Sequence, residues 1–442
     1  MIDEAKARQL LERVLGKVRA TKGAEAAAVI RDDRAGNTRF ARNEITSSAD
    51  TLRTHVAVTV QFGLRSASAS TNQLDDHSLD EVVARALRMA KLAPENPEAM
   101  PVLGKQTYPT VPSAVDRATA GLGAQHRAKA VGVALAAGNK LGFAGFYEHG
   151  VTAFGRATTA GMWAWREESS CSFSCTARTA DGTGSGWAGT QSNRASDFDP
   201  GALAKIAVDK ATRSANPRKL DPGRYSVVLE PAAVAALLDF LIGSFGARRA
   251  DEGRSFFTKP GGGTRVGEKL FPDTITLRTD PADAAVGGQP FDGEGLPLAA
   301  TRWIDKGTVT ALTYGRYWAK KQNKQPTGSP SGWTLDGGTA KPEELVKGIK
   351  RGVLITRFWY LRDLDPQTIL ATGLTRDGTF LIENGEITHP VNNFRFNESP
   401  VHMLAKCDGL GAGWIAGGEG RGVRAPTLRT HDFNLASISE AI

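Results

Sequence analysis

Cysteine is scarce, with three in 442 residues. Three thiols cannot build a disulfide framework for a chain of this length, and the odd one left over would be a liability in an oxidising compartment. The expected location is therefore the cytoplasm. Cys171 and Cys175, in "CSFSC", have no second pair or nearby histidine with which to hold a metal, so they read as small buried side chains on one face of a strand. Long apolar runs are also missing. No stretch of about 18 apolar residues occurs, and the opening "MIDEAKARQLLERVLGKVRATKG" carries acids at Asp3 and Glu4 with no apolar signal core. These absences predict a soluble chain with no membrane partner.

The sequence does have material for sizeable cores, at 40% hydrophobic and 23% charged. Its net charge of +8 raises the question of a polyanion partner, because Lys and Arg bind phosphates by releasing counterions. The basic residues are nonetheless scattered. The densest groups are "KKQNK" at Lys320–Lys324, Lys347–Arg351 and Arg248–Arg249, without the interleaved aromatics of a single-strand binder. A solvated surface is the better reading, and nucleic acid is not expected as a partner.

The fold class expected is α+β. Residues 4–20 have the spacing of an amphipathic helix, and short strands follow at 26–31, 38–48, 53–62 and 64–71, before a helix that Ser78 opens. The same order returns as a helix at 123–141, four strand segments from 142 to 192 and a helix at 200–215. This predicts a duplicated helix, four-strand, helix unit, with copies at about 4–93 and 123–215 and a proline-rich linker at 94–113. The N-terminal domain then spans 1–216. A break at "NPRKLDPG" leads into 217–442, with one apolar helix at 232–245 and many Gly-punctuated strands, which predicts a β-rich, barrel-like C-terminal domain.

Motifs for chemistry are mostly lacking. The seven histidines lie far apart in sequence, and no His-Glu-x-x-His is present; each reads singly as a surface or satisfied core residue. "GGGTRVGEK" has Glu268 where a phosphate loop needs lysine, so it reads as a turn, and "GGEGRG" completes no dinucleotide motif. Asp292 and Glu294 in "FDGEGLP" sit two apart, the raw material for an acid/base pair or half a metal site; in a Gly-flanked turn, solvation or backbone capping is the stronger reading.

These pieces together resemble one family. "TRFARNEITSSADTLRTHVAVTV" followed by "SASASTNQLDDHSLDEVVARALRMA" is similar to the N-terminal domain of the TldD/PmbA (TldD/TldE) proteins. "LLDFLIGSFG", "FDGEGLPL", "ATGLTRDGTFLIENGEITHPVNNFRFNESPVHMLAKCDGLG" and "GVRAPTLRT" fall in the order of that family's C-terminal domain. "GTFLIENGEITHPV" is the most specific piece. The resemblance implies a metallopeptidase-related protein: one branch carries a His-Glu-x-x-x-His helix and a later cysteine for zinc, and works as a heterodimer with a sister chain that lacks the metal. Three ligands and a water suit catalytic zinc.

Laid on that pattern, this chain places Asp239 and Ser244 at the two histidines, Phe240 at the glutamate and Ala416 at the cysteine, with Cys407 upstream in another motif. No catalytic, cofactor or metal residue is thus expected in this chain, and these four are degenerate site positions. A five-residue spacing on a regular helix also separates two side chains by about 140°, so a ligand-bearing version needs a distorted helix. Here Leu237, Leu238, Leu241, Ile242 and Phe245 read instead as the buried stripe of an ordinary helix. The resemblance points to the metal-free, TldE/PmbA-like side: a non-catalytic subunit acting on unfolded or precursor peptides, its partner a zinc-bearing TldD-like homologue or a second copy of itself. The alternatives are a standalone hydrolase using Asp239, Asp292, Glu294 and scattered histidines, or a basic nucleic-acid-associated factor of the gyrase-modulator type.

Overall fold

The computed structural model describes residues 1–138, 141–286, 288–415 and 422–440, and the chain is an α+β protein built on two sheets. Its first half carries α1 (Glu4–Arg19), β1 (Glu25–Ala41), β2 (Glu44–Phe62), β3 (Arg65–Thr71), α2 (Asp76–Leu92), α3 (Arg117–Ala120), α4 (Ala124–Ala137), β4 (Gly142–Thr158), β5 (Trp163–Arg178), β6 (Ser185–Ser192) and α5 (Pro200–Arg213). Its second half carries β7 (Gly223–Leu229), α6 (Pro231–Gly243), α7 (Ala247–Asp251), β8 (Leu277–Thr279), β9 (Thr301–Asp305), β10 (Thr308–Val309), α8 (Arg316–Lys321), β11 (Trp333–Leu335) and α9 (Pro342–Lys347). β12 (Arg351–Asp365), β13 (Leu370–Glu383), β14 (Glu386–Pro390), β15 (Asn393–Glu398), α10 (Pro400–Ala405), β16 (Cys407–Ile415) and β17 (Arg424–Ser439) complete it. Among the described residues no helix is long and apolar enough to cross a membrane.

The unit of the first half does recur, but each copy holds three strands rather than the four expected. The acids and glycine that look like strand breakers are absorbed into one long β1. Asp32 accepts from the Ile2 amide at 2.7 Å and the Thr54 hydroxyl at 2.6 Å, while Asp33 accepts from Arg31 and Thr152, both at 2.7 Å. Gly36 has a steric role: a Cβ there would lie 1.9 Å from Nη1 of Arg127. The strand therefore runs on to Ala41, and the chain reverses at Arg42 and Asn43, whose φ values of 53° and 63° are those of a tight two-residue hairpin. The second helix begins at Asp76, two residues before Ser78, because the Asp75 side chain accepts from the Ser78 amide at 3.0 Å.

The six strands run β3-β2-β1-β4-β5-β6, with β1 and β4 antiparallel at the centre. The helices of both copies cover one face. α1 and α2 bury Leu11, Val14, Val82 and Val83 on Ile30, Val56 and Val58, and α4 and α5 bury Val131, Leu203 and Ala207 on Phe143, Tyr147 and Phe173. The two copies differ at their edges. β3 pairs with β2 only across Val56–Phe62, which leaves the edge of β2 from Glu44 to His55 uncovered by any described strand. The corresponding open stretch of β5 meets the proline-rich segment, where the Ser169 amide donates to Ala114 O at 3.0 Å.

That segment is an ordered strap touching both halves. Leu103 O accepts from Thr158 at 2.6 Å, Tyr108 Oη donates to Gly295 O at 3.0 Å, and Glu98 pairs with Arg248 at 2.7 Å. In the second half, β17, β15, β13, β12 and β7 form a closed pairing circuit, because β17 and β7 also pair. α6 packs on these strands, and its core includes Leu237, Leu238, Leu241, Phe245, Phe257 and Trp303. The halves are joined where the buried Asp377 accepts from Ser185 of β6 and from Arg357 at 3.0 Å, and where Lys210 meets Glu230 at 2.6 Å.

Candidate functional site

α6 opens with Pro231 in its first turn, a position where the missing amide costs no hydrogen bond. Of the expected stripe, Leu237, Leu238, Leu241 and Phe245 are fully buried and Ile242 only partly so, while Ala233 and Val234 extend the buried face towards the start of the helix. A second stripe, Ala236, Asp239, Phe240 and Gly243, has the i, i+3, i+4, i+7 spacing of a single face and lines a cleft of about 620 Å³. The helix is regular to Gly243, and Ser244 is its C-cap with φ −97° and ψ −4°. The Ser244 hydroxyl donates back to Phe240 O at 2.9 Å.

The opposite wall is β12, at Trp359–Asp363, with Pro366 and Ile369 beyond it and Arg249 of α7 at one end. Here the strand departs from regular pairing. Its register against β13 shifts between Trp359 and Arg362, and Tyr360 sits in the left-handed region at φ 56°, a conformation that costs a bulky residue of order 1–3 kcal/mol and often marks a functional site. The bulge exposes Tyr360, which packs against Arg362 at 4.3 Å and the Trp359 ring at 5.5 Å, and Arg376 lies over Trp359 at 4.1 Å. β7 pairs with β12 only across Gly352–Ile355, so among the described residues no strand covers the remaining edge of β12.

Against a zinc ion this donor set does not fit. The stretch of α6 facing the cleft offers one carboxylate, Asp239, one aromatic ring, Phe240, and a hydroxyl, Ser244, that already serves the helix end. Zinc takes nitrogen and thiolate with only occasional carboxylate. Among the described residues no three His, Cys, Asp or Glu side chains come together as a metal group.

Sequence signatures of the PmbA/TldA metallopeptidases match residues 26–90 (domain 1), 72–215 (central domain) and 222–437 (C-terminal domain). The chain belongs to the PmbA/TldD family. It is 25% identical to a metalloprotease of Methanothermobacter thermautotrophicus over 49% of each chain, and 28% identical to a metalloprotease PmbA homologue of Buchnera aphidicola over 30% of each. The alignments thus span about half or less of these curated relatives. Two solved structures share the fold, each with a TM-score of 0.86 over 97% of this chain and 100% of theirs: TldE from Thermococcus kodakarensis at 17% identity, and a Thermotoga maritima protein described as a proposed modulator of a DNA gyrase at 18%.

Within this PmbA/TldD chain, Asp239, Phe240 and Ser244 fall together on the α6 cleft, while Ala416 and "GGEGRG" up to Arg421 lie outside the described residues. Cys407 is buried on β16 away from the cleft, its thiol pushed up to about 11 by burial. Cys171 and Cys175 are buried on one face of β5, both pushed up to about 12 by burial. Asp292 is a backbone cap, accepting from the amides of Glu294, Leu296 and Ser329 at 2.9, 3.0 and 3.1 Å; Glu294 faces Arg316 at 3.7 Å. The glycine-rich loop is a turn, with Gly261, Gly262, Gly263 and Gly267 at positive φ. The histidines stay dispersed on local partners: His431 on Asp408 at 2.9 Å, His149 on Arg127 at 2.9 Å and His126 on Tyr147 at 3.1 Å. Sequence reasoning missed the β12 wall. Its one signal was "FWY" at 358–360, three large aromatics in a row where a strand with one solvated face alternates.

Proposed function

We propose that this chain is the non-catalytic, TldE/PmbA-like subunit of a cytoplasmic zinc peptidase, and that it helps to hold an extended, unfolded or precursor peptide for a metal-bearing homologue. The observation that carries the reading is the pairing of two features in one cleft: α6 presents no nitrogen or thiolate, yet the unpaired edge of β12 lies open along the same space. A free strand edge gives backbone hydrogen bonds to any extended peptide irrespective of sequence. The bulge at Trp359–Arg362 supplies aromatic surface for its side chains.

The test is elemental analysis and peptide hydrolysis by the purified chain, alone and mixed with a homologue that carries His-Glu-x-x-x-His. The expected result is substoichiometric zinc and no cleavage alone, with cleavage and co-elution in the mixture. Stoichiometric zinc together with hydrolysis by the isolated chain would overturn the assignment.

A further inference from the structure

A strand added to the free edge of β12 turns its side chains alternately to the two faces of the sheet. Backbone pairing there is blind to sequence, so any preference among peptides comes from what the two faces carry. The register against β13 sorts them. Phe358 and Leu361 point to the core: the Phe358 ring lies 4.3 Å from that of Phe396, and a Cβ on Gly373 would meet Leu361 Cγ at 3.1 Å. Arg357, Trp359 and Arg362 point outward, opposite Arg376, Leu374 and Thr372. The contacts agree, since Arg376 lies over Trp359, and Arg395 of β15, opposite Leu374, donates to Thr372 Oγ1 at 3.4 Å.

The two faces differ in charge. Across the outward rows Arg357–Arg376, Trp359–Leu374–Arg395 and Arg362–Thr372–Asn397, four positions are arginine and none is a carboxylate. Asp377, next to these rows, is buried and already accepts from Ser185 and from Arg357 at 3.0 Å. Arg362 and Arg395 are exposed and form no ion pair among the described residues. The inward side, which the α6 cleft shares, is mixed: it has Asp239 and Asp363 as well as Arg249, beside the apolar Ala236, Phe240 and Ile369.

We propose that the peptide held at this edge is acidic at every second residue, with its carboxylates on the outward, arginine-bearing face and uncharged side chains turned into the α6 cleft. The inference rests on the peptide-holding reading and adds a substrate class to it. Opposite charges attract across neighbouring strands and like charges repel. Arg362 is the cation nearest to the added strand that has no ion pair among the described residues, and its planar fork suits a carboxylate. Arg376 and Arg395 lie one and two strands further in, about 5 and 10 Å, and act as a field of the same sign.

Fluorescence anisotropy of the full chain with four hexapeptides tests it: Glu-Val-Glu-Val-Glu-Val, its Gln and Lys counterparts, and Val-Val-Val-Glu-Glu-Glu, each labelled at the amino end and amidated at the other. The alternating acidic peptide should bind about fivefold more tightly than the Gln form, with the Lys form weakest. The block peptide has the same charge but cannot put its carboxylates on one face, so it should lose roughly half of that advantage. Arg362→Gln should cut the Glu-to-Gln ratio to about twofold, and Arg362→Lys, which keeps the charge, should retain most of it. Equal affinity for the Glu, Gln and Lys forms, an equal gain for the block peptide, or an unchanged ratio in Arg362→Gln would overturn this proposal and leave the peptide-holding reading standing. Binding of none of the four would overturn both.

Discussion

The fourth residue of α1 is Ala7 and the fourth of α4 is Arg127, and both are fully buried. The two copies of the repeated unit thus solve one packing problem in opposite ways. The first closes its helix onto the sheet with apolar contact at this position, its polar contacts to the sheet lying at the exposed rim, where Glu4 accepts from Trp163 at 2.9 Å. The second inserts a guanidinium that reaches Thr38 of β1 at 3.1 Å, Asp50 of β2 at 2.8 Å and His149 of β4 at 2.9 Å. Arg127 therefore fastens the long β1–β2 hairpin of one copy to the helix of the other. Duplicated units need not be interchangeable: one serves as filling and the other as clamp.

Removing the clamp should have the largest effect. Arg127→Met leaves His149, Thr38 and Ser48 without their buried donor, while the exposed Asp50 returns to water, and a loss of about 3 kcal/mol is expected from urea denaturation. Methionine at Ala7 would test the opposite copy by overpacking, at about 1–3 kcal/mol; equal losses at the two sites would remove the distinction. Second in size is a pH effect. Burial, with Arg127 beside it, lowers the His149 pKa from 6.5 to about 4. The unfolded imidazole then binds a proton across that window and the folded one does not, so this stability is complete above pH 6.5 and declines as pH falls towards 4. About 2 kcal/mol should disappear between pH 7 and 4.5, and His149→Gln should flatten that part of the profile.

Gly36→Ala should cost about 2 kcal/mol by pressing a methyl group on Arg127. Made in the Arg127→Met background it should cost less, and strict additivity in a double-mutant cycle would mean that the two positions do not meet. The smallest effects concern the sheet edges. Leu52→Ser, on the uncovered edge of β2, should stay within about 0.5 kcal/mol. Ser169→Ala, which strips hydrogen bonds to Asn193 O at 2.7 Å and the Asp116 amide at 2.8 Å, should cost about 1–2 kcal/mol. A reversed order would show that the strap does not brace β5.

The helices, the α+β class and the repeat were legible because their signals are local, above all the apolar spacing along α1 and α6; the cap of α2 was read at Ser78, whereas Asp75 supplies it. The length of β1 was not legible. Asp32, Asp33 and Gly36 look like punctuation until Ile2, Thr152 and Arg127, distant in sequence, supply their partners. The candidate site was half legible. Asp239, Phe240 and Ser244 were found by alignment on a family pattern, whereas the wall facing them depends on a bulge in β12.

The central seam sets Ala27 against Thr158 and Phe40 against Gly145. During synthesis, then, β1 must wait bare on one side until more than a hundred residues beyond it have been added, a delay of roughly ten seconds at ordinary elongation rates. Over that interval the nascent polypeptide presents a sticky, half-finished ribbon, and a chaperone at the ribosome exit would find its work there.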